Sequence, residues 1–174
     1  MPSTAHALKW IQISLLVLAM GWALIFSQPL IAAPLTNQTA LNNVEHVKAI
    51  YDVRKSHPTS LLGYLKAIET NVTNLKKEGV SFDLQMIFIS KAVTFITTEP
   101  EETLAMEHGE TLEQIAQQIA RLQSLGIQME ACGGATAYFN VDNETLLPGI
   151  DPVRSGFISL MGWQAKGYGL ITVY

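Results

Sequence analysis

A single cysteine, Cys132, stands in 174 residues. That count excludes an intrachain disulfide framework and any multi-thiolate zinc site. Charge is scarce as well, at 15% where about a quarter is usual. The 11 basic residues form no cluster, and 15 acidic residues outweigh them to a formal charge of −4. Nothing in the chain can track a phosphate backbone, so nucleic acid is not expected as a partner. No G-x-G-x-x-G occurs, which removes the dinucleotide fingerprint. No two histidines share ligand spacing on one helix, so neither a metal nor a cofactor is expected. What is present is a 48% apolar composition, enough for a packed core and opposite to the bias of disordered chains. The length suits one domain with an appendage.

The appendage is N-terminal. Trp10 to Phe26 is an apolar run broken only by Gln12, Ser14 and Gly21. As a helix it would span about 25 Å, a little short of a hydrocarbon core of roughly 30 Å. Ile31-Ala32-Ala33 follows, as expected after an export signal, although the apolar run is longer than most signal cores. A cleaved signal peptide and an uncleaved anchor both fit. The expected organisation is therefore a signal or membrane anchor over residues 1–33, a polar linker over 34–45, and an α/β domain over 46–174. Membrane contact is expected only through residues 1–33, and only if they remain attached.

The rest alternates strand and helix. Val47 to Val53 is β-branched and aromatic, and it closes at Arg54-Lys-Ser-His57-Pro58. Thr59 and Ser60 can cap a helix whose stripe is Leu61, Leu65, Ile68, Val72 and Leu75, ended by Gly79. Leu84 to Ile89 reads as a buried strand, and Val93 to Ile96 is ambiguous. The acidic stretch Glu99, Glu101, Glu102, Glu107 and Glu110 reads as a solvated loop. Leu112, Ile115, Ile119 and Leu122 make a second amphipathic helix closed by Gly126. Ile127 to Ala131, Ile150 to Val153 and Tyr168 to Tyr174 read as strands, with a helix from Phe157 to Gln164. Five strands separated by helices predict a three-layer α/β/α sandwich around a mainly parallel sheet.

Ligands of open parallel sheets bind beyond the carboxyl ends of the strands. Three such ends carry chemistry here: Arg54 to His57, Ser90-Lys91, and Cys132-Gly133-Gly134. Gly133 and Gly134 at a helix start could aim backbone amides at a thiolate, the nucleophilic form of cysteine. His57 could serve Cys132 as proton donor or charge partner, and Lys91 or Arg54 could favour its anion. The opposing reading makes Cys132 a small buried hydrophobe, His57 a turn residue and the two cations solvated. His46 and His108 lie in linker-like and acidic segments. Phe157, Leu160, Met161 and Trp163 make the last helix apolar on more than one side, as core or as oligomer contact. Asn37, Asn71 and Asn143 match the loose glycosylation pattern and carry no argument.

Gly126-Ile-Gln-Met-Glu-Ala-Cys132-Gly-Gly-Ala, then Leu146-Leu-Pro-Gly-Ile150, then Gly167-Tyr168 resemble the DsrE/DsrF-like family in that order. The resemblance runs from the first strand to the C-terminus. It implies a small α/β sandwich that assembles into trimers or hexamers. It also implies that Cys132 is a sulfur carrier, holding a persulfide for a donor or acceptor protein or a small thiol. The chain is less similar to the cytoplasmic branch serving tRNA thiolation, because it lacks that branch's downstream Arg-Gly. An exported protein, periplasmic or tethered facing the periplasm, is the expectation. Whether the chain is an enzyme stays open between a sulfurtransferase-like carrier and a non-catalytic assembly module with a structural cysteine.

Overall fold

The computed structural model describes residues 35–174. The expected signal or anchor over residues 1–33 lies outside the described residues. Among those described, no helix is long and apolar enough to cross a membrane. The stretch expected as a linker holds one helical turn, α1 (Gln38–Leu41). Beside it the Asn37 amide donates to Glu78 Oε1 at 3.0 Å, so this segment is docked on the domain.

The domain then runs β1 (His46–Val53), α2 (Pro58–Lys77), β2 (Ser81–Phe88), α3 (Glu102–Ser124), β3 (Gln128–Cys132), α4 (Gly133–Tyr138), β4 (Ile150–Val153), α5 (Gly156–Ala165) and β5 (Gly169–Val173). Short 3-10 turns occupy Ser90–Phe95 and Asn143–Thr145, the first settling the ambiguous stretch after β2. The sheet order is β4-β3-β2-β1-β5, and every neighbouring pair is parallel. This is the three-layer α/β arrangement expected from the alternation of periods.

The two faces of the sheet differ in kind. Side chains alternate along a strand, so the paired row Tyr51, Met86, Met129 and Ile150 lines one face. Tyr51 hydrogen-bonds Asn71 on α2, which places that apolar face under α2. Leu61, Leu65, Ile68 and Val72 of α2 and Ile115, Ile119 and Leu122 of α3 complete this half of the core. The alternate row is Asp52, Ile87, Glu130 and Asp151. It faces α5, where Trp163 Nε1 donates to Glu130 Oε1 at 3.1 Å.

Two local readings are corrected. Helix α2 starts two residues earlier than a Thr59 cap implied, and three earlier than a Ser60 cap. Pro58 occupies the first turn and His57 the cap position, without a side-chain cap bond. Proline suits that turn, where its missing N–H is not needed. The acidic stretch is not a loop from residue 102 onward but the opening of α3. Glu101 caps it, accepting from the Thr103 amide at 3.0 Å and the Leu104 amide at 3.1 Å. Carboxylates there complement the unpaired amides and the helix dipole.

The Thr103 amide, with further bonds from the Thr103 side chain and the Leu104 amide, holds the Glu101 carboxyl below its ordinary pKa. A lowered folded-state pKa gives stability that is present above the unfolded value and lost as pH falls through the folded one. Glu101→Gln is therefore expected to lower the melting temperature at neutral pH. The gap from the parent should close in acid, in paired thermal melts across pH.

Candidate functional site

Parallel pairing delivers the carboxyl ends of β1, β2 and β3 to one edge of the sheet. A cavity of about 410 Å³ opens there, within the size range of small-molecule sites. It is lined by Arg54, Ile89, Ser90, Cys132, Gly134, Ala135, Tyr138, Phe139, Ser155 and Phe157. One residue from each of the three expected strand ends is present, namely Arg54, Ser90 and Cys132.

Cys132 closes β3 and caps α4. It is a free thiol, only 5% exposed, and it lies in the lining of the cavity. The period of β3 turns it toward α5, whose first residue, Gly156, is pressed against it. A Cβ on Gly156 would stand 2.8 Å from Ile89 Cδ1 and 3.0 Å from Cys132 Cβ. Gly133 is constrained in the same way, since its Cβ would meet the Val153 carbonyl oxygen at 2.8 Å. Gly134 lies over the sulfur, with its Cβ position 3.7 Å from Sγ. The Cys132 side chain takes no cap hydrogen bond from α4. The two glycines thus supply close approach around the sulfur, not the amide bonds to Sγ anticipated for them.

Arg54 follows β1 and extends the ladder, its amide donating to the Val173 carbonyl at 2.9 Å. Its Nε donates to both oxygens of Asp52, at 2.8 and 2.9 Å. Asp52 is 3% exposed, and a buried carboxylate needs such a partner. Arg54 Cζ lies 5.0 Å from the centre of the Phe157 ring, within cation–π range. The Asp52 bond raises the pKa of Arg54 above its ordinary value, and attraction to Asp52, Tyr174 and Cys132 adds to this against partial burial. Ser90 stands at φ 60°, a left-handed conformation costing roughly 1–2 kcal/mol for a residue with a Cβ. It turns the chain off β2 at the cavity wall.

His57 and Lys91 are placed elsewhere. They line a second cavity of about 270 Å³ with Glu101, Glu107 and His108. The His57 and His108 rings meet edge to face, centroids 5.1 Å apart. The reason is the path of the chain: after Arg54 it leaves the sheet edge to start α2, and His57 travels with that layer. Among the described residues no cluster of three or more His, Cys, Asp or Glu could hold a metal ion. Sequence reasoning missed Asp52, Tyr138, Ser155 and Phe157. Only the Asp-x-Arg spacing of Asp52 and Arg54 hinted at any of them.

The fold and this edge define a class, a small α/β sandwich presenting one thiol at the carboxyl end of a parallel sheet. The DsrE/DsrF-like family model matches residues 48–173, and the chain belongs to that family. Two solved structures share the fold. One is MTH1491, a protein of unknown function from Methanobacterium thermoautotrophicum, with 17% identity and a TM-score of 0.57 over 72% of this chain and 98% of that one. The other is the ychN protein from E. coli, with 16% identity and a TM-score of 0.52 over 72% and 98%. At these identities the likeness shows the fold alone. No curated protein sequence matches the chain.

Gly156→Ala is expected to destabilise the domain by about 1–3 kcal/mol, the usual cost of overpacking, because Cys132 Cβ cannot yield as a flexible chain end can. Denaturant melts would measure the loss, and iodoacetamide labelling should show a changed rate at Cys132.

Proposed function

We propose that the protein is an exported or membrane-tethered sulfur carrier in which Cys132 accepts and surrenders sulfane sulfur. The observation that carries this reading is the place of Cys132 in the lining of a cavity shared with a fixed guanidinium, Arg54. The thiolate is the nucleophile. With its proton released to water, Cys132 attacks the outer sulfur of a donor persulfide. The donor S–S bond breaks as the new one forms, and the donor thiolate leaves with the electron pair. Transfer onward is the same exchange reversed, so no cofactor is required. Family membership supports the relay role, and the apolar run in residues 10–26 supports export.

Mass spectrometry of the protein isolated from its own host tests both parts. One added sulfur on Cys132, removable by dithiothreitol, together with a chain beginning near residue 34 or an intact membrane-bound N-terminus, is expected. Cys132→Ser should take up no sulfur from a persulfide donor. A wild-type chain that also takes up none would end the carrier reading.

A second reading, an assembly module with a structural cysteine, is favoured by one observation. Cys132 is packed against Gly156 while α5 exposes Phe157, Ile158 and Met161. The two readings share a homo-oligomer, trimeric or hexameric, built on that apolar helix face, since exposed apolar patches mark interaction surfaces. Met161→Asp is expected to reduce the assembly to monomers in light scattering without lowering the melting temperature of the monomer. An unchanged mass would remove α5 from the interface.

A further inference from the structure

Arg54 is built as a recognition group. Its Nε is fully occupied by Asp52. Its two terminal nitrogens have no hydrogen-bond partner among the described residues, and Arg54 lines the cavity that also holds Cys132. The Phe157 ring covers the guanidinium at cation–π distance. A planar fork held by its stem and open at its tip matches the geometry of an oxyanion or carboxylate.

The remaining polar groups of the cavity agree with this. Ser155 caps α5, yet its hydroxyl accepts no amide of that helix. Neither it nor the Ser90 hydroxyl bonds any described residue. Both residues line the same cavity as Arg54. Of the negative groups near the guanidinium, Asp52 is paired at Nε and buried, and Tyr174 attracts Arg54 without a hydrogen bond to it. The rest of the wall is apolar: Ile89, Ala135, Tyr138, Phe139 and Phe157. The pattern is an anion-reading end and an apolar wall, with a sulfur nucleophile between them.

We infer that the donor is a small anionic sulfane-sulfur compound, whose oxyanion or carboxylate head docks on Arg54 while its sulfane sulfur meets Cys132. This rests on the carrier reading and names its substrate class. Thiosulfate is the inorganic member of the class, and the persulfide of a short carboxylate thiol is the organic one. With thiosulfate, Cys132 thiolate bonds to the sulfane sulfur, the S–S bond breaks, and sulfite leaves with the electron pair. With the organic donor the carboxylate thiolate leaves in its place. Neither exchange needs an outside oxidant or reductant. Asp52 acts through Arg54 as a positioning residue.

The test uses the full chain and follows mass gain at Cys132 from three donors: thiosulfate, 3-mercaptopropionate persulfide and the uncharged 2-mercaptoethanol persulfide. Arg54→Ala is expected to slow the anionic donors at least about tenfold more than the uncharged donor, the worth of one charge-assisted bond. Arg54→Lys should fall between, since it keeps the charge and loses the fork. Asp52→Asn should raise the half-saturating concentration of the anionic donors and leave their limiting rate unchanged. Whichever anionic donor loses more on Arg54→Ala identifies the source. Equal effects on charged and uncharged donors, or none, would overturn the inference while the carrier reading survived. Calorimetry of sulfite binding to Cys132→Ser separates the two claims from the other side. Binding that Arg54→Ala abolishes upholds the anion site even if no donor ever loads the cysteine, and absence of binding counts against it.

Discussion

Parallel pairing of β1, β2, β3 and β4 is the constraint on which the site depends. Each parallel neighbour forces a crossover, and every crossover leaves from the same edge of the sheet. Arg54, Ser90, Cys132 and Ser155 are distant in sequence, yet all four follow or close such strands. Their meeting in one cavity is a consequence of topology before it is a consequence of any side-chain bond. An antiparallel β2 would have sent Ser90 to the far end of the domain.

The second constraint is the asymmetry of the sheet. The face under α2 and α3 is hydrocarbon and supplies the core, whereas the face under α5 carries Asp52, Asp83, Gln85 and Glu130. Polar groups in such a place must be paired, and most are: Asp52 by Arg54, Asp83 by Gln85 and the Tyr168 hydroxyl, Glu130 by Trp163. One oxygen, Glu130 Oε2, is buried without a partner. A polar layer capped by one short helix lets a buried carboxylate, Asp52, fix a partly exposed cation at the sheet edge. Arg54 uses this arrangement, anchored at Nε and exposed at its tip.

Close approach of backbone is the third element. Gly133 lets the β4 backbone come close at Val153, and Gly156 lets α5 pack against Cys132 Cβ, so the cysteine is buried. The enclosure that makes the thiol look structural is the same enclosure that would restrict its partners. The carrier reading rests on the cavity that Cys132 shares with Arg54.

The residues along the chain determined the elements. Period-3.6 stripes at Leu61–Val72 and Ile115–Leu122, β-branched runs, and glycines at 79 and 126 in left-handed conformations fix helix and strand locally, because propensity and hydrophobic period act over a few residues. Alternation of those elements was enough to imply a parallel sheet, and so to bring Cys132, Arg54 and Ser90 to one edge. The sequence could not say which layer each loop enters. His57 and Lys91 look equivalent to Arg54 along the chain, but they line a different cavity: His57 because the backbone turns toward α2 after residue 54, Lys91 because the 3-10 turn begins at Ser90. Nor could it set Phe157 against Arg54, or bring Ser155 into the same cavity. Those contacts join segments about a hundred residues apart, and only the packing of α5 across the sheet decides them.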